Sequence, residues 1–131
     1  LGLTPQSIEQ FGSYKLRASE STEADILFND AKLLQDAGCF AIVLEKIPLN
    51  LAERVSKSLH IPTIGIGAGV HCDGQVLVTA DMLGLFDNFK PKFVRHYANL
   101  AVTIKSSFEL YHQDIKACKF PNLNESYEGN L

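Results

Sequence analysis

The stretch Phe40 to Leu44 reads F-A-I-V-L, five apolar residues with no polar alternation, and Glu45 follows directly. A strand with one wet face alternates apolar and polar residues. An unbroken apolar run suits a parallel strand covered on both faces. The flanking sequence agrees. From about Thr22 to Ala37, the residues Ala24, Leu27, Phe28, Ala31 and Leu34 recur at helical spacing, and Gly38 is placed to stop that helix. Pro48 breaks the strand. Asn50 is then expected to cap a helix, with Glu53 completing a capping box, and Leu51, Val55 and Leu59 share one face as far as His60.

The same alternation continues downstream. "PTIGIGAG" predicts a strand over 62–66 with a glycine-rich exit, and "QVLVT" predicts another over 75–79. A helical turn is expected near Asp81. A long helix is expected from about Pro91 to Cys118, with Phe93, Tyr97, Leu100, Ala101, Ile104, Phe108, Tyr111 and Ile115 as its buried stripe. Residues 1–3 read as the tail of a strand, Thr4 and Pro5 as the start of a short helix to about Phe11, and Gly12 to Ser21 as a loop. Strands alternating with helices imply an α/β fold with a parallel sheet, in which ligands bind at the carboxyl ends of the strands.

Composition narrows the function classes. The 131 residues suffice for one core, and 46% hydrophobic with 21% charged residues describes a globular chain. A net charge of -3 gives no basic footprint for nucleic acid. No apolar run approaches the roughly 18 residues of a membrane span. Cys39, Cys72 and Cys118 are odd in number and widely spaced, so neither a disulfide framework nor a zinc site is expected. A reducing cytoplasm fits them best, with Cys39 as a small buried apolar residue. The chain opens on Leu1 in an already strand-like stretch, so a fragment of a longer protein is expected.

Glu45 ends an apolar strand. It is either a structural carboxylate paired with a nearby cation or a general base whose pKa an apolar wall raises toward neutrality. The glycines Gly65, Gly67 and Gly69 of "GIGAG" either make a tight turn or let backbone amides approach an anionic ligand. They do not follow a dinucleotide spacing, and no P-loop lysine follows. His60, His71, His96 and His112 form no ligand-spaced pair, and Asp73-Gly74 reads as a turn. Asp81 is either a helix N-cap or a pocket carboxylate. Lys90, Lys92, Arg95 and His96 would gather at the start of the long helix, where cations oppose the helix dipole, so they are either a solvated face or a site for an anionic ligand.

Taken together, "LGLTPQS", "VLEKIP", "IPTIGIGAG", "CDGQVLV" and "KPKFV" resemble the ketopantoate hydroxymethyltransferase family in order and spacing across nearly the whole chain. The resemblance is to the C-terminal half of that enzyme. It implies an α/β fold that is half of a (β/α)8 TIM barrel, from the end of strand five through strand eight and its long helix. Residues 1–119 would belong to that barrel domain and 120–131 to a C-terminal tail. The resemblance implies transfer of a hydroxymethyl group from 5,10-methylenetetrahydrofolate to 3-methyl-2-oxobutanoate, in pantothenate biosynthesis. It makes Glu45 the base that removes the C3 proton and leaves Gly65, Gly67 and Gly69 as candidate pocket residues. It implies Mg2+ as cofactor, with ligands outside this chain, the N-terminal half of the barrel as partner, and a homo-oligomer, a decamer. The rival readings are a C–C lyase of the phosphoenolpyruvate/pyruvate barrel superfamily and a noncatalytic half-barrel assembly piece.

Overall fold

The computed structural model describes residues 1–4, 16–86 and 90–129. The short helix expected over 5–11 lies outside them. The chain divides into two compact units, Leu1–Leu77 and Val78–Leu131.

The first unit is α/β. Helix α1 spans Ser21–Asp36, strand β1 Ile42–Glu45, helix α2 Leu49–Ser58, strand β2 Thr63–Ile66 and strand β3 Gly74–Gln75. The three strands pair in sequence order and all are parallel. Residues 1–3 extend the sheet beyond β1. The Leu3 amide donates to the Glu45 carbonyl (2.9 Å) and the Glu45 amide to the Leu1 carbonyl (2.8 Å). The strand tail expected there is therefore present as a parallel bridge between Gly2 and Glu45.

One face of the sheet carries the core. Ile42 and Leu44 are buried against Leu27 and Ala31 of α1 and Leu51, Ala52 and Val55 of α2. These are the stripes read from the sequence. Each fully buried aliphatic side chain contributes about 1.5–3 kcal/mol. Cys39 is only half-buried. Helices α1 and α2 are also joined at their surface: Arg54 pairs with Asp25 at 3.1 Å and lies over the Phe28 ring at 4.2 Å. Helix α1 stops at Gly38, whose φ of +95° lets its amide reach Gln35 while Cys39 reaches Leu34.

Several boundaries differ from expectation. Helix α2 starts at Leu49 with Pro48 as its N-cap, so Asn50 lies inside the first turn and the capping box does not form. The Asn50 side chain accepts instead from the Leu51 amide (3.0 Å), and Glu53 pairs with Lys57 (2.7 Å). The strand expected over 75–79 shrinks to Gly74–Gln75. Val76 still donates to Gly65 (3.0 Å), but β2 ends at Ile66 and Gly67 turns away with φ +67°, leaving residues 77–79 without a ladder partner on that strand.

The second unit holds a single turn, α3 (Thr79–Met82), and helix α4 (Leu100–Lys116). Asp81 sits within α3, and Val78 is the residue that caps it. Helix α4 begins nine residues later than the expected Pro91. Its entry is fixed by backbone bonds to the end of α3: Tyr97 donates to Met82 (2.8 Å), Leu100 to Leu83 (3.0 Å) and Ala101 to Gly84 (3.0 Å). These carbonyls satisfy amides that a helix start leaves open. The expected stripe on α4 is not buried. Ile104, Phe108, Tyr111 and Ile115 are all exposed, because no described element packs over them deeply enough.

Candidate active site

Glu45 is the last residue of β1, and its register partner across the ladder is Ile66, the last residue of β2. Strand alternation puts Ile42 and Leu44 on the helix-covered face and Val43 and Glu45 on the other. Val43 is 49% exposed, so this second face is open. The strand exit is firmly set. Lys46 takes a left-handed φ of +50°, its amide donates to the Ile66 carbonyl (2.9 Å), and its carbonyl accepts from Arg17 (3.1 Å). A left-handed residue other than glycine persists where its surroundings hold it, and such strain gathers at functional sites. Partial burial raises the Glu45 pKa above the ordinary value, against the opposing positive charge of Lys46. A half-buried carboxylate of raised pKa on an open sheet face can accept a proton from carbon.

The glycines separate. Gly65 lies level with Leu44 on the helix side, away from Glu45. A Cβ there would meet Cys72 Sγ at 2.9 Å and Gln75 Oε1 at 3.0 Å. Gly69 has φ +86°, and a Cβ would meet Leu49 Cδ1 at 2.4 Å. Its carbonyl accepts from Gln75 Nε2 (2.8 Å). Gly67, directly after β2, is the one of the three that adjoins the Ile66 carbonyl bound by Lys46.

Sequence reading missed the buried polar cluster beneath this edge. Thr63 is fully buried at the head of β2. Its amide and hydroxyl both donate to Asp73 Oδ2, at 2.7 and 3.0 Å, and its hydroxyl lies 2.6 Å from Ser56 Oγ on α2. The bonds from Thr63 depress the Asp73 pKa. Asp73 was read as a turn residue, and the signal that could have shown more is a hydroxyl residue opening an otherwise apolar strand. A second such clasp joins Glu23 to the Arg17 guanidinium and to the Ala18 amide (2.7 Å).

His71 is 3.8 Å from Glu53. Lys90, Lys92, Arg95 and His96 precede α4 and are not in its first turn, so the dipole argument does not apply to them. Among the described residues, no three His, Cys, Asp or Glu side chains gather as a metal centre. No described helix is long and apolar enough to cross a membrane. A cleft of about 290 Å³ is lined by Thr4, Arg17, Glu23 and Asp30, and one of about 590 Å³ by Ile104, Phe108 and His112; Glu45 lines neither.

Comparison with known proteins gives one answer. A family model described as ketopantoate hydroxymethyltransferase matches residues 1–123. The 3-methyl-2-oxobutanoate hydroxymethyltransferase of Bacteroides thetaiotaomicron is 56% identical over 127 residues, covering 97% of this chain and 46% of the relative. That of Chlorobaculum parvum is 58% identical with the same coverage. That of Caldicellulosiruptor bescii is 54% identical, covering 97% of this chain and 48% of the relative. The chain thus spans about half the length of the curated relatives it matches.

Proposed function

On the footing that this chain belongs to the ketopantoate hydroxymethyltransferase family, we propose that it supplies the C-terminal half of a (β/α)8 barrel. The complete enzyme transfers a hydroxymethyl group from 5,10-methylenetetrahydrofolate to 3-methyl-2-oxobutanoate. Support for the barrel comes from parallel strands paired in sequence order, with helices on one face and an open face opposite. The missing N-terminal half would close that open face. A homo-oligomeric, decameric, cytoplasmic enzyme belongs to the same reading.

The observation that carries the chemistry is Glu45: a carboxylate at the carboxyl end of a parallel strand, of raised pKa, on the face opposite the helices. Glu45 removes the proton from C3 of the keto acid, and the C–H electron pair becomes the enolate. The enolate carbon forms a bond to the donor's methylene carbon while a C–N bond to the folate breaks. The transferred carbon arrives as a methylene held by two folate nitrogens, so water supplies its hydroxyl oxygen as the second C–N bond breaks, and the two nitrogens take up the proton removed from C3 and one proton of that water. Partial burial raises the Glu45 pKa, which makes the carboxylate a stronger base.

The described residues do not by themselves form a magnesium site. A bound magnesium ion would make the C3 proton more acidic by acting as a Lewis acid on the adjacent carbonyl. The part assigned to Glu45 is proton removal alone.

The test is product analysis with the complete enzyme. 3-Methyl-2-oxobutanoate and methylenetetrahydrofolate should give 2-dehydropantoate and tetrahydrofolate in equal amounts. Folate-independent cleavage of a keto acid would instead favour a C–C lyase, and absence of any turnover would favour an assembly piece.

A further inference from the structure

We propose that Lys46 is a positioning residue for proton removal: its left-handed backbone turns the chain directly after Glu45 and so holds that carboxylate on the open face of the sheet. This rests on the reading of Glu45 as the base and adds to it what keeps the base aimed.

Burial alternates along β1, with Ile42 and Leu44 in the core and Val43 exposed. Continued with period two, the alternation would bury residue 46 and leave residue 47 on the open face. The reverse is found. Ile47 is 2% exposed and belongs to the core, while Lys46 is only half-buried. The φ of +50° at Lys46 accompanies this switch of phase, which ends the strand and turns the next side chain inward. Glu45 is left as the last side chain of β1 on the open face.

Both peptide groups around this switch are held. The Glu45 amide donates to Leu1 and its carbonyl accepts from Leu3; the Lys46 amide donates to Ile66 and its carbonyl accepts from Arg17. Gly2 packs against the Glu45 carbonyl with no room for a Cβ. The left-handed region is disfavoured for a residue with a Cβ, and it persists where the surroundings hold it, notably at functional sites. Two other described residues besides glycine share it, Ala18 and Cys118. Cys118 lies just past α4, where helices commonly stop on such a residue. Ala18 is buried next to Arg17, the residue whose amide holds Lys46. Lys46 is the one that adjoins the base, where a displacement of about 1 Å costs on the order of a hundredfold in rate.

The experiment measures exchange of the C3 proton of 3-methyl-2-oxobutanoate with D₂O, without folate and with magnesium, in the complete wild-type enzyme, Lys46→Asn and Lys46→Val. Asn takes the left-handed conformation readily, and a β-branched residue does not. Both variants lack the ammonium group, so its charge cancels in their ratio. Rates are taken per bound keto acid, so unfolded protein does not count. Lys46→Asn should exchange faster than Lys46→Val by about tenfold or more, with keto-acid affinities equal within about threefold. If Lys46→Val does not fold, Lys46→Thr supplies the same comparison. Equal rates in the two variants, or a keto-acid affinity that falls in step with exchange, overturns the proposal and leaves the base reading of Glu45 standing. No exchange in wild type, or undiminished exchange in Glu45→Gln, removes the base reading and the positioning role with it.

Discussion

Thr63 and Asp73, ten residues apart in sequence, are joined by two bonds to one oxygen: the Thr63 amide and hydroxyl both donate to Asp73 Oδ2. The carboxylate takes the place of a ladder acceptor just before β3 begins at Gly74. It thereby fixes the connection that carries Gly67 and Gly69. Thr63→Val should destabilise the complete protein by about 1–3 kcal/mol, because it removes the hydroxyl that joins Asp73 and Ser56 within a buried cluster. Chemical denaturation measures this; a loss near zero would mean the cluster is not formed.

Asp73 also sets a pH dependence. Its folded pKa lies below the ordinary value of 3.8, so its contribution is present above that value and is lost as pH falls through the folded pKa. Asp73→Asn should therefore flatten the acid limb of the stability–pH curve and lower the plateau. A parallel displacement of the whole curve would contradict the assignment.

Two glycines of positive φ should differ sharply on substitution. Gly38 has open space where a Cβ would stand, so Gly38→Ala should cost only the backbone term, roughly 1–2 kcal/mol. Gly69→Ala would add a clash with Leu49, costing about 1–3 kcal/mol more. Equal melting temperatures for the two variants would refute this ordering.

The helical stripes of α1 and α2 and the positions of β1 and β2 were legible because their side chains meet within the described chain: Leu27, Ala31, Leu44 and Val55 bury one another. The α4 stripe was legible as a pattern but not as a buried face, since Phe108 remains 68% exposed. Apolar periodicity says which face seeks cover and not where the cover comes from. The late start of α4 was hidden for a different reason: the backbone bonds from Tyr97, Leu100 and Ala101 to the α3 end involve no side chain that a sequence displays. At the candidate site, Glu45 stood out as a charge closing an apolar run. The separation of Gly65 from it depends on strand register, which glycine spacing does not encode.

Residues 1–131 alone should not behave as a stable monomer. Val43 on the open sheet face and Phe108 on α4 leave apolar surface that invites another chain. Size-exclusion with light scattering should show association or aggregation. A monomer with one cooperative unfolding transition would remove the half-barrel proposal.

The activity of the complete enzyme should fall on the acid side as Glu45 becomes protonated, with an apparent pKa above the ordinary glutamate value of 4.5. The stability contribution runs the opposite way: a raised folded pKa means the native state holds the proton longer, so stability declines as pH rises through the window above 4.5. Glu45→Gln should lose both dependences.

Proton exchange without folate tests the role of Glu45 most directly. With magnesium present, the complete wild-type enzyme should exchange the C3 proton of 3-methyl-2-oxobutanoate with D₂O, because in the mechanism proposed above enolisation precedes attack on the one-carbon donor. Glu45→Gln keeps the shape and removes the basic oxygen. Exchange and turnover should fall together by about 10²–10⁴, while keto-acid affinity stays within a few-fold. Exchange at the wild-type rate in Glu45→Gln would mean that another group is the base and that Glu45 is a structural carboxylate.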